Sequence, residues 1–186
     1  MCFRVISSFL ILFLFLNALI FAEEWKTYKT SYSTIFYRTE EDLFKLDYKL
    51  DVNFIDSKYQ GFFSHFLYRK RREFLYPRLK VKVDAILTRV QLLLDIYISD
   101  PHIDVYAYPD RKELDNAYYY LYGKRAPSIA YYEHETKSIY LSVKDVSEGV
   151  LAHEMAHYVI SNYFVIVLPL KTQDVLAQYV DQHLID

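Results

Sequence analysis

The sequence predicts an α+β fold, a small mixed or antiparallel sheet packed on helices, and three observations lead there. Segments with strand-like patterning lie at Trp25 to Tyr37, Ile103 to Tyr108, Ser128 to Tyr132 and Ser138 to Val143. Segments with helical spacing lie between and after them, and the last two are opened by capping residues. Composition supports ordered packing: with 53% apolar and 25% charged residues the chain is not of disordered type. Tyrosine is abundant (20) and glycine scarce (3), which suits helices and strands with few open loops.

Taken in order, Trp25 to Tyr37 alternates loosely and is rich in Tyr, Thr and Ile, as a strand or hairpin requires. Glu40 to Tyr59, with Leu43, Phe44, Leu46, Tyr48 and Leu50, fits neither period cleanly. Phe62 to Tyr76 predicts a helix whose Arg69-Lys70-Arg71-Arg72 run forms a solvated face, ended by Pro77. Val81 to Tyr97 places Val83, Ile86, Leu87, Val90, Leu93, Leu94 and Tyr97 at helical spacing. Ile103 to Tyr108 is a strand. Asp110 with Glu113 fits a capping box and Gly123 a C-terminal stop, so a helix lies between them, with Tyr118, Tyr119, Tyr120 and Tyr122 as packing residues. Two strands, Ser128 to Tyr132 and Ser138 to Val143, flank the polar link Glu133 to Lys137; His134 in that link is not expected to bind metal. Asp145 with Glu148 fits a second capping box for a helix to about Asn162. Pro169 marks a connection, and Thr172 caps a last helix, Gln173 to about Leu184.

The N-terminal residues stand apart. Arg4 precedes the apolar run Phe9 to Leu16, which continues past Asn17 to Ala22 and stops at Glu23-Glu24. This predicts a signal peptide over residues 1–22 and a single domain over residues 23–186, exported to a periplasmic or extracellular location. An uncleaved anchor over residues 5–22 is the alternative, since that stretch is near the lower length for a span. Only then is a membrane partner expected. The one cysteine, Cys2, would leave with the peptide, so no disulfide or thiol chemistry is expected, and any metal site must use His, Asp and Glu. The net charge of −2, without sign imbalance, gives no reason to expect a nucleic-acid partner.

Chemistry is concentrated in His153-Glu154-Met155-Ala156-His157. On a helix, residues four apart share a face, so both imidazoles point at one spot, as two of the three protein ligands of a catalytic zinc site. Glu154, next to the first histidine, can reach a water on the metal from the side, as a base rather than a ligand. The third ligand is expected on the last helix, where Asp174, Gln178 and Asp181 lie along one face. Asp174 is the first candidate. Asp181 is the second, or it accepts the free N–H of a ligating histidine. Tyr158, Tyr163 and Tyr179 are candidates by type for stabilising an oxyanion.

From about Ile103 onward the sequence resembles the gluzincin branch of the zincin metallopeptidases, specifically compact peptidase-MA-like domains. Leu151 to His157 matches that family's His-Glu-x-x-His helix. Gln173 to Val180 matches in outline its second helix, which carries a glutamate ligand in an Asn-Glu-Gly-like context followed by Ala-Glu-Tyr. Asp174 falls on the ligand glutamate and Gln178 on the second glutamate, while Ala177 and Tyr179 match directly. Two positions depart from the pattern: Asp174 is one methylene shorter than glutamate, and Val175 replaces the glycine. The metzincin alternative lacks its residues, because Ile160 and Tyr163 stand where Gly and His are required. The resemblance implies a zincin-like fold with a zinc ion (Zn2+) on His153, His157 and Asp174. It also implies hydrolysis of peptide bonds in a peptide or protein substrate, with Glu154 as general base. The substrate would lie extended along an edge strand, Ser138 to Ser142. A non-catalytic binding or assembly module of the cell envelope on the same scaffold is the alternative function.

Overall fold

The computed structural model describes residues 24–50, 52 and 75–185. The apolar N-terminal segment and residues 62–74 of the expected second helical segment, with the Arg69 to Arg72 run, lie outside the described residues. Among the described residues, no helix is long and apolar enough to cross a membrane.

Five strands form one mixed sheet: β1 (Lys26–Lys29), β2 (Ser33–Tyr37), β3 (Ile103–Tyr108), β4 (Ala130–Glu133) and β5 (Ser138–Ser142), in the order β1-β2-β3-β5-β4. The outer pairs β1–β2 and β4–β5 are antiparallel hairpins, and the inner pairs β2–β3 and β3–β5 are parallel. Five helices accompany it among the described residues: α1 (Glu40–Lys49), α2 (Leu75–Leu94), α3 (Arg111–Tyr122), α4 (Glu148–Tyr163) and α5 (Leu170–His183).

Alternation along the strands gives the sheet two unlike faces. Ile35, Val105, Ile139 and Leu141 join the buried aliphatic core with Leu79, Val83, Ile86, Leu87 and Val90 of α2 and Leu151, Met155 and Val159 of α4. The other face carries a row of aromatic rings in cross-strand register: Phe36 stacks on Tyr106, Tyr106 on Tyr140, and Tyr140 on Tyr131, at centroid distances of 4.5, 4.9 and 5.0 Å. Helix α3 sets Leu114 and Tyr118 against this row. Much of the tyrosine content is used here, as cross-strand pairs. The tyrosines of α3 do not all pack, however. Tyr119, Tyr120 and Tyr122 are exposed, Tyr120 at 90%.

Local chemistry explains where elements differ from expectation. Glu40–Lys49 is a helix because Thr39 and Asp42 form a reciprocal capping box. Its periodicity was obscured by Asp47, which shares the buried face with Leu43, Leu46 and Leu50. Arg78 and Lys82 of α2 compensate that carboxylate; Arg78 Nε donates to it at 2.8 Å and Lys82 Nζ lies 3.3 Å away. A buried carboxylate without such partners would cost several kcal/mol. No break occurs at Pro77, the third described residue of α2. Helix α2 ends at Leu94, earlier than the expected Tyr97, because Asp95 adopts φ 52° and the Gln91 side chain takes the Ile98 amide.

The caps of the last two helices shift as well. Ser147, not Asp145, caps α4 through the Val150 amide, and Asp145 instead accepts from the Ser142 hydroxyl at 2.6 Å. Helix α5 begins at Leu170 after Pro169, three residues before the expected start, with Thr172 inside it. At α3 the N-cap and the stop hold, since Asp110 accepts from the Glu113 amide and Gly123 closes the helix at φ 67°, but only this half of the expected capping box is among the helix's cap bonds.

Candidate metal centre

Helix α4 passes beneath the β4 end of the sheet and packs against both α2 and α5. It is buried on most sides, Leu151, Ala152, Met155, Ala156, Val159 and Ile160 included. The side that faces the α5 crossing carries His153 and His157, whose Nε2 atoms lie 3.3 Å apart. Asp174 reaches the same spot from α5, its Oδ1 3.5 Å from His157 Nε2. One donor atom from each of the three lies within 4.8 Å of the others. Two imidazole nitrogens and one carboxylate oxygen converging from two helices form a donor set suited to zinc. Asp174 is the fifth residue of α5, beyond its first turn, so attraction to the helix dipole does not account for it.

Burial shapes the electrostatics. Loss of hydration lowers the pKa of both histidines, which favours the neutral form a metal requires. The neighbouring His153 lowers His157 further, while Asp174 and Asp181 oppose the shift at His153. Glu154 is 8% exposed. Burial pushes its carboxyl up to about 7, against a hydrogen bond from the Tyr132 amide that favours the anion. Glu154 thus meets β4 through the Tyr132 amide, feels the charge of Asp174, and lines the same cleft as the three donors.

That cleft, of ≈ 730 Å³, lies between β4, α4 and α5. The expected edge strand needs correcting. β5 is interior, between β3 and β4, and the free edge is β4. The hairpin turns outward from the sheet after β4, so the second strand of the pair returns on the inside. The Ser142 amide bonds the Ile129 carbonyl at 2.9 Å, which makes that pair, and by alternation Tyr131 with Tyr140, the hydrogen-bonded ones. Ala130 and Tyr132 consequently turn their backbone groups outward, towards the cleft.

Other expected residues separate. Asp181 lines the cleft but sits at the start of α4, where a Cβ at Gly149 would collide with its carboxylate. Gln178 does not line the cleft, nor do Tyr158, Tyr163 and Tyr179. The Tyr158 hydroxyl is occupied by the His102 amide at 2.9 Å. Comparison with protein-family models, with curated proteins and with solved structures finds no match.

Two further side chains line the cleft that the sequence did not place in the site. Gln173, almost fully buried, accepts from the His157 ring and from Ser161 while its amide donates to the Leu168 carbonyl at 2.8 Å. It fixes the His157 ring and ties it to the α4–α5 loop. Its position directly before the expected acid ligand was the available signal. His134, in the β4–β5 link, lines the cleft beside Tyr132 at a ring-centroid distance of 6.4 Å.

Proposed function

We propose that this protein is an exported, zinc-dependent metallopeptidase of zincin type, gluzincin-like in its ligands, acting on peptide or protein substrates. The observation that carries the proposal is the convergence of His153, His157 and Asp174 in a cleft bounded by a free strand edge, with the buried Glu154 carboxyl beside them. A zinc ion there would polarise the scissile carbonyl and lower the pKa of a water. Ala130 and Tyr132 of β4 bind the substrate as an added strand through their outward amide and carbonyl groups. Glu154 takes a proton from the attacking water and delivers it to the leaving amine as the C–N bond breaks. When the incoming strand takes the Tyr132 amide, Glu154 is released to the water. Gln173 holds His157 in one orientation throughout.

A non-catalytic module of the cell envelope is the second reading, favoured by the exposure of Asp174, whose side chain is 56% accessible. Cleavage of a diverse peptide pool separates the two. The peptidase reading expects cleavage that stops with a chelator and returns with zinc. Full zinc occupancy without cleavage across the pool supports the binding module.

A further inference from the structure

The loop from α4 to α5 has a character that the cleft chemistry does not require. Tyr163-Phe164-Val165-Ile166-Val167-Leu168-Pro169-Leu170 contains no charged side chain. Val165 is 100% exposed, Ile166 81% and Leu170 75%. Water-facing loops are ordinarily polar, and a contiguous apolar surface marks a binding face. Val175 and Tyr179 of α5 are also exposed.

We propose that this loop docks the protein on a lipid bilayer, with Val165 and Ile166 entering the acyl region and Tyr163 and Phe164 at headgroup level. Four features select a bilayer over a protein partner. The exposed apolar residues 163–167 are consecutive in one segment, where a protein-binding face gathers residues from several elements inside a polar rim. The tip is wholly uncovered. The run offers no charged group to fix the orientation of a protein partner, so its attraction is purely apolar. The base carries aromatic rings on one side and Lys171 on the other, groups that settle at a membrane interface. The apolar run before Ala22, read as a signal peptide or anchor, would bring this chain to a membrane as well. Val167 and Leu170 also form a wall of the cleft. Docking would therefore hold the cleft against the lipid surface, where it meets peptide segments at the membrane. This inference stands on exposure and composition and does not depend on catalysis.

The test uses the full chain with Cys2→Ser and an environment-sensitive NBD fluorophore on Ile166→Cys, mixed with neutral phosphatidylcholine vesicles. Emission at position 166 should rise and shift to the blue, and nitroxide-labelled acyl chains should quench it. A label on Lys112→Cys, on α3 at the opposite face of the sheet, should not respond. Val165→Asp should raise the lipid concentration needed for the shift by about tenfold or more, with the circular dichroism spectrum unchanged. No response at position 166, or an equal response at position 112, overturns the proposal. So does a shift that grows with protein concentration in the absence of vesicles, which would make the loop a contact between copies. A shift caused by an apolar peptide and not by vesicles makes it a substrate wall and overturns docking too.

Discussion

Helix α4 is buried on almost every side, while α5 shows most of its length to solvent, with Gln173, Ala177 and Val180 as its buried residues. Each contributes to the same donor cluster. The histidine pair is held on a helix that cannot move without opening the core. Asp174 comes from a helix whose outer side is exposed and whose place is set by packing, mainly on α4. Spacing within one buried helix thus presets two donors, whereas the third donor depends on how two helices approach. Gly149 is part of that approach, since α5 brings Asp181 to where a Cβ would stand.

The largest expected effect falls on the buried helix. His153→Ala or His157→Ala should abolish stoichiometric zinc binding, read by metal analysis after dialysis, because the remaining two protein ligands form a weak, open site. A tightly held zinc in either variant would contradict the assignment of α4. Stability should follow the same contrast. Met155→Ala, in the core, should cost about 2–5 kcal/mol in denaturant unfolding, and Val175→Ala, exposed on α5, within about 0.5 kcal/mol. Similar costs at both positions would mean that α5 is buried by something else.

Acid–base behaviour sharpens the comparison. In the metal-free protein, Glu154 keeps its proton up to about 7, whereas an unperturbed glutamate loses it near 4.5. Between those values the folded state binds more protons, so this group's contribution falls as pH rises and is level above about 7. The lowered histidines act oppositely: below about 6.5 the unfolded chain takes up more protons, and stability falls with acid. Glu154→Gln removes only the first effect. It should gain stability relative to wild type between about pH 5 and about pH 8, by up to roughly 3 kcal/mol. An unchanged difference across that range would mean that Glu154 is ionised when buried. Smaller still is the contrast between the two acids of α5. Asp174→Ala, which likewise leaves two protein ligands, should weaken zinc binding by more than about 100-fold and Asp181→Ala by about 10-fold, measured by competition with a chromogenic chelator. The reverse order would move the third ligand to Asp181.

Much of this arrangement was legible in the sequence, for reasons that differ by region. Strand β3 alternates cleanly because one face meets the aliphatic core and the other the aromatic row, so Ile103–Tyr108 was readable to the residue. The histidine pair was readable because helical spacing alone sets its geometry. Helix α1 was not readable, since Asp47 occupies a core-facing position and only the distant Arg78 and Lys82 make that tolerable. Nor was the free edge at β4, because strand order depends on which way a hairpin turns and not on the composition of either strand. The start of α5 was misplaced because Pro169 offers no side-chain cap, so Thr172 looked the better opening. The link between Gln173 and His157 depends on helix approach, which no local pattern encodes.

In the proposed peptidase Glu154 is a base beside the metal and not one of its ligands. Zinc per chain in purified Glu154→Gln, taken together with its rate of peptide cleavage, checks this role. One zinc per chain is expected, as in wild type, with cleavage lowered by about a thousandfold or more. Loss of the zinc, or cleavage near the wild-type rate, would contradict it.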